Sequence, residues 1–140
     1  MKNHLQEVFK MIIYLIFVSE LIIRKAQQSD TQRILNLLYE LGRPRPTHAK
    51  QVEAFKNKIV EYFSDSQKEI VVSEQGKEIT GLVSIIYLKR LNQTKLEMHI
   101  PELIIAEKFR NRGIGSKLIH HCTKLAKQND CHRIRLESGN

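Results

Sequence analysis

The stretch Arg110-Asn111-Arg112-Gly113-Ile114-Gly115-Ser116-Lys117-Leu118-Ile119, RNRGIGSKLI, sets two of the chain's six glycines one residue apart, beside two arginines. The residues after the glycines read as a helix, because Leu118, Ile119, Cys122, Leu125 and Ala126 recur at helical spacing. Upstream, residues 96–105 read as a strand. The glycines therefore lie at a strand-to-helix junction. A helix start leaves backbone N–H groups unpaired and carries the positive end of the macrodipole, so an anion is stabilised there. Gly113 and Gly115 lack a Cβ, which opens turn geometries and lets a phosphate approach the backbone closely. Arg110 and Arg112 add charge at the mouth. From spacing alone, a tight turn with a solvated basic edge and an anion cradle stand equal. The pattern is neither a P-loop, which ends in lysine and Ser/Thr, nor the dinucleotide fingerprint G-x-G-x-x-G.

Outward from this junction the elements come in a definite order. Residues 21–25 are short, apolar and β-branched, a strand. Ser29 with Gln32 makes a capping box that starts a helix, whose buried face is Ile34, Leu35, Leu37, Leu38 and Leu41 and whose stop is Gly42. A second helix runs from about His48 to Phe63, with Val52, Phe55, Ile59, Val60 and Phe63 inward. Residues 69–74 and 79–88 form strands joined by a hairpin turn at Gln75-Gly76-Lys77, and residues 96–105 form a third. After the helix that succeeds the glycines, residues 133–136 close the order as a last strand. The order β-α-α-β-β-β-α-β predicts an α/β (α+β) fold with a mixed sheet and one crossover through the last helix.

With 140 residues the chain fits one domain. The net charge of +8 favours anionic partners without choosing among nucleic acid, acidic lipid and a phosphorylated cofactor. Low aromatic content and scattered lysines and arginines argue against a dedicated nucleic-acid surface, so no nucleic acid is expected. Cys122 and Cys131 form no disulfide framework and fit a reducing cytoplasm. With His120, His121 and His132 they lack the spacing of a metal site, so no metal is expected. The apolar run Met11 to Val18 is too short to cross a bilayer, and no small-residue cleavage site comes after it before Arg24. Residues 1–20 are read as an extension, first as a strand or helix added to the domain, then as a segment outside the fold, and last as a membrane anchor. Residues 21–140 form the domain proper.

Glu102 to Gly115 resembles the acetyl-coenzyme A motif of the GNAT superfamily of N-acetyltransferases, Arg/Gln-x-x-Gly-x-Gly/Ala after a hydrophobic strand, with Arg110, Gly113 and Gly115 in the signature positions. The resemblance extends from Leu21-Ile22-Ile23-Arg24-Lys25-Ala26 through Gly81-Leu82-Val83-Ser84 to residues 131–138. It implies an N-acetyltransferase that uses acetyl-coenzyme A and no metal, with a small-molecule or protein amine as acceptor. Backbone groups of Arg110, Asn111, Arg112, Gly113, Ile114, Gly115 and Ser116 would surround the pyrophosphate. Leu103, Ile104 and Ile105 would pair with the pantetheine arm, with a strand N–H near Ile104 polarising the acetyl carbonyl. Glu102 would be the general base, with Glu97 and His99 as alternatives. Arg43 to His48 would border the acceptor side.

The chain departs from the family pattern at its end, which comes directly after the fifth family strand. The family's next helix carries a tyrosine that protonates the leaving thiolate, and Tyr14, Tyr39, Tyr62 and Tyr87 all precede the motif. The chain is accordingly expected to be truncated, its last strand uncovered and prone to pair with a second copy as a homodimer, or to be completed by its own apolar N-terminal run. The rival to an active enzyme is a coenzyme A binding module without turnover.

Overall fold

The computed structural model describes residues 2–41 and 45–137. In chain order the elements are α1 (Lys2–Ser19), β1 (Leu21–Lys25), α2 (Thr31–Leu38), α3 (Ala49–Ser64), β2 (Lys68–Gln75), β3 (Glu78–Leu88), β4 (Glu97–Ile100), β5 (Leu103–Ile105), α4 (Ile114–Gln128) and β6 (Arg133–Leu136). The mixed sheet runs β1-β2-β3-β4-β6, with β5 also pairing β3. All pairs are antiparallel except β4 with β6.

The alternation of β2 and β3 divides the interior in two. Ile70, Val72 and Leu82 point to one face, where Ile34, Leu35 and Leu37 of α2 and Ile59 of α3 cover them. Val71, Val83 and Ile85 point to the other, beneath Ile114, Leu118, Cys122 and Ala126 of α4. The four α4 residues recur every fourth position, so one narrow stripe meets the sheet. Each fully buried Leu or Ile contributes roughly 1.5–3 kcal/mol. In α3, Tyr62 joins Val52, Phe55 and Phe63 against this core, and Val60 is only half-buried.

The strand expected over residues 96–105 is two strands. Ile86 of β3 faces His99, whereas Val83 faces Leu103, so three steps on β3 oppose four on the other side. The extra residue is a bulge at Pro101-Glu102. Pro101 has no N–H to give the ladder, and the Glu102 N–H donates to the Ser84 Oγ at 3.0 Å, a side chain in place of a carbonyl. The ladder resumes where the Ser84 N–H donates to the Glu102 carbonyl at 3.0 Å. Gly81 permits the close approach of β5. A Cβ there would lie 2.9 Å from Ile105 Cδ1 and from Ser73 Oγ.

The capping box expected at Ser29 and Gln32 is not what starts the first domain helix. A single 3-10 turn, Gln28–Asp30, comes first, and α2 begins at Thr31. Asp30 is the capping carboxylate and accepts the Gln27 N–H at 2.7 Å. Arg24 of β1 grips it with two bonds of 2.8 and 2.9 Å, and Arg33 adds one of 2.5 Å. Asp30 is 1% exposed, and this charge-assisted cluster outcompetes the weaker serine cap. The stop expected at Gly42 lies outside the described residues; α2 itself ends at Leu38 and passes into a 3-10 turn, Tyr39–Leu41.

The apolar N-terminal run is helical, as one form of the first expectation had it, and its described side chains lie outside both cores. Leu5, Phe9, Met11 and Tyr14 are each more than 60% exposed, and no described side chain of α1 belongs to either core cluster. Among the described residues no helix is long and apolar enough to cross a membrane.

Two buried carboxylates make the fold acid-sensitive. The Arg24 hydrogen bonds hold Asp30 down at about 2, against the opposing effect of burial. Arg90 at 2.6 Å and Arg133 at 3.0 Å hold the fully buried Glu97 down at about 2. Both values lie below those of free carboxylates, so the unfolded chain binds more protons as pH falls. The stabilisation is complete above about pH 5 and is lost on descending toward pH 2. Urea unfolding measured across this range is expected to show that loss, with a flatter profile in Asp30→Asn and Glu97→Gln.

Candidate active site

The bulge places the site. β6 pairs with β4 alone, ending where the Glu137 N–H donates to the Ile100 carbonyl at 3.1 Å. Beyond Pro101, β5 pairs with β3. Among the described residues the edge of β5 away from β3 has no strand partner, so it can receive a ligand. Register decides which groups face it. Glu102 and Ala106 direct their backbone bonds to Ser84 and Thr80 of β3, so Ile104, of the same parity, also turns toward β3. Leu103 and Ile105 face the outer edge. The expectation that all three residues lend backbone groups narrows to these two, and Ile104 instead buries its side chain under α2 and α3.

The glycine loop comes at once after β5. A 3-10 turn, Glu107–Phe109, leads from the strand, and the Arg110 Nε donates to the Ile105 carbonyl at 3.1 Å, tying loop to strand end. Arg112 lies over the Phe109 ring at 5.2 Å. Asn111 has φ +64°, left-handed backbone that Asn tolerates better than most residues. Gly113 has φ +78°, caps α4 without any side-chain hydrogen bond, and would place a Cβ where no atom lies within 4 Å. The glycine is thus required by its backbone angle, and the space before it is open. Helix α4 begins at Ile114, two residues earlier than the periodicity suggests, and Ile114 itself is buried in the core. The first N–H groups of α4 around Gly115 and Ser116 have no intrahelical partners. Arg110, Asn111, Arg112 and Ser116 are exposed beside them.

On the opposite face of the sheet from α4, Glu102 enters a cavity of about 640 Å³ between α2, α3 and the sheet. Its walls include Leu38, Tyr39, Phe55, Ile59 and Tyr62, with Ser84 and Glu102 at the sheet end. The Ser84 hydroxyl donates to the Glu102 carboxylate and accepts the Glu102 N–H, so the carboxylate is held in one orientation. Tyr62 shares this cavity wall with Ser84 and Glu102, and burial together with the nearby Glu102 charge raises the pKa of its phenol. Tyr62 is therefore a neutral O–H donor beside Glu102. Sequence reasoning misses it because it precedes the motif in the chain, although its spacing from Phe55 and Ile59 puts it on their helix face.

The two alternative bases lie elsewhere. Glu97 is enclosed by Arg90, Arg133 and Arg135 and is a structural anion too acidic to take a proton at neutral pH. His99 sits on β4 outside the cavity lining, and its Nδ1 is buried without a hydrogen-bond partner among the described residues. Of the loop Arg43 to His48, residues 43 and 44 lie outside the described residues, and Arg45 covers the Tyr39 ring at 5.0 Å. Cys122 is buried on the α4 face with its thiol pushed up to about 11. Among the described residues no group of three or more metal-ligating side chains comes together.

The Acetyltransferase (GNAT) family model matches residues 32–140, and the chain belongs to that family. A transcriptional regulator from Bacillus halodurans C-125 superposes with a TM-score of 0.77 at 26% identity, over 86% of this chain and 83% of that one. A GNAT family acetyltransferase from Staphylococcus aureus superposes at 0.74 with 22% identity, over 86% and 87%. AAC(6')-Iy, solved with the bisubstrate analog CoA-S-monomethyl-acetylneamine, superposes at 0.73 with 14% identity, over 86% and 81%. No curated protein matches the sequence.

The two glycines have separable roles. Gly113→Ala is expected to lower stability by about 1 kcal/mol through its left-handed backbone. Gly115→Ala, whose Cβ would meet Ile105 Cγ1 at 3.9 Å, should change it by less than about 0.5 kcal/mol. Chemical denaturation of both variants checks the contrast.

Proposed function

We propose that this GNAT protein transfers an acetyl group from acetyl-coenzyme A to a primary amine. The observation that carries the reading is the open β5 edge lying between the Gly113 loop and the Glu102 cavity. The loop offers an uncapped helix start, two arginines and an unfilled approach at Gly113, which suits a pyrophosphate. The open edge offers the peptide groups of Leu103 and Ile105 to an amide-bearing arm. AAC(6')-Iy, of the same fold, is solved in complex with a coenzyme A conjugate, which supports the same ligand here.

The coenzyme supplies an acetyl thioester. Glu102 accepts the proton that the acceptor's ammonium group must lose before its nitrogen can attack the acetyl carbon. The backbone N–H groups at the open edge of β5 donate to the acetyl oxygen as charge develops on it. As the C–N bond forms and the C–S bond breaks, the sulfur requires a proton, and the neutral Tyr62 phenol on the cavity wall is the donor we assign to it. Ser84 positions Glu102 by bonding its carboxylate.

Calorimetric titration of acetyl-coenzyme A, then a free-thiol assay with a panel of amines, tests this. Binding with amine-dependent thiol release is the expected result. Gly113→Asp should remove binding by setting a carboxylate where phosphate sits. Glu102→Gln should lower kcat by about 10²-fold or more with coenzyme affinity retained, and Tyr62→Phe should lower kcat with little effect on KM for the amine. Binding without turnover would select a coenzyme A binding module, and no binding at millimolar ligand would overturn both readings.

A further inference from the structure

The Glu102 cavity also carries information about the acceptor, on the reading that it is the acceptor's site. We infer that it takes a primary monoamine mounted on an aromatic-sized apolar body, with the amine at the Glu102–Ser84–Tyr62 end and the body between α2 and α3. Its size, about 640 Å³, is that of a small-molecule pocket. Leu38, Tyr39, Phe55 and Ile59 make the wall mainly apolar, Ser84 and Glu102 stand at its sheet end, and Lys58, Glu61 and Lys68 complete its polar part. Such a wall gives an alkyl or aromatic body dispersion and burial, and it offers the many hydroxyls of a sugar fewer partners than they need.

The charge around the cavity excludes a second class. Each aromatic ring of the wall already faces a protein cation: Arg45 lies 5.0 Å from the Tyr39 ring, Lys58 5.8 Å from Phe55, and Lys68 5.4 Å from Tyr62. A polyamine or aminoglycoside carries several separated ammonium groups. One would meet Glu102, and the others would meet walls whose π faces are occupied and whose rim repels them. Among the described lining residues Lys58 and Lys68 balance Glu61 and Glu102, so these four groups give no net negative field to draw a polycation in. A monoamine places its one charge at the carboxylate that Ser84 holds in position.

An arylalkylamine and a peptide beginning with phenylalanine both present this chemistry, and parallel titrations distinguish the two sources. The chain contains no tryptophan, so indole fluorescence in a mixture with tryptamine comes from the ligand alone. Tryptamine anisotropy is measured against wild-type protein preloaded with coenzyme A, then in competition with phenethylamine, a Phe-initiated tripeptide, spermidine and glucosamine. We expect saturable binding, displacement by phenethylamine or the tripeptide, and at least about tenfold weaker displacement by spermidine and glucosamine. Phe55→Lys is expected to weaken tryptamine about tenfold or more while calorimetric coenzyme affinity stays unchanged, which also shows that the variant is folded. Phe55→Leu should recover most of the binding. No anisotropy change up to millimolar protein, or tighter displacement by spermidine or glucosamine, overturns the inference. Acetylation confined to polyamines or sugars would refute this acceptor class and leave acetyl transfer standing, whereas tryptamine binding without thiol release from any amine would do the reverse.

Discussion

One extra residue between β4 and β5 organises the molecule. Because Pro101 gives no N–H and Glu102 gives its own to a serine hydroxyl, the strand slips by one position against β3. The slip turns Glu102 away from the α4 face into the opposite cavity, at the point where, among the described residues, the pairing of β4 with β6 reaches its end at Ile100. The surroundings hold the bulge in place. Gly81 lets β5 sit close on β3, and Ser84 returns two bonds to Glu102. The irregularity is thus built by four named residues, not left by poor packing.

Much of this is legible in the sequence and some of it is not, for physical reasons. Period-two and period-3.6 patterns reveal the strands and helices, because burial on one face leaves that mark in any chain. The glycine pair reveals the loop, because a positive φ restricts residue type. The cap of α2 is misplaced by sequence because the decisive partner of Asp30 is Arg24, held by β1, and a local pattern cannot weigh an ion pair against a hydroxyl. The bulge is not legible as such. Pro101 hints at a break, but the one-residue slip emerges only when the facing strand is known. Tyr62 escapes notice for the same reason, since its neighbourhood with Ser84 and Glu102 spans two helix-strand connections.

The net charge of +8 acquires an address. Five arginines are bound to three carboxylates: Arg24 and Arg33 to Asp30 and Glu74, and Arg90, Arg133 and Arg135 to Glu97. Three of their five charges are cancelled at short range. Among the described residues Arg110 and Arg112 have no carboxylate partner; one bonds a carbonyl and the other covers an aromatic ring. Both leave their charge uncompensated next to the helix start of α4, whose dipole adds to it. These two arginines therefore add a local positive potential at the glycine loop to the charge spread over the rest of the surface.

The two faces of the sheet also bear on the order of chemistry. Helix α4 and its loop lie on one face, and the Glu102 cavity lies on the other. On the proposed reading, donor and acceptor approach from opposite sides and meet at the strand edge, so neither has to leave before the other enters. A covalent acetyl-enzyme would need a nucleophile at that edge. Cys122 is buried under α4, and burial keeps its thiol protonated at neutral pH. Ser84 is committed to Glu102, whose peptide N–H and carboxylate both engage its oxygen. On the proposed reading, direct attack by the amine within a ternary complex is the mechanism these positions favour, with Glu102 held by Ser84 to take its proton.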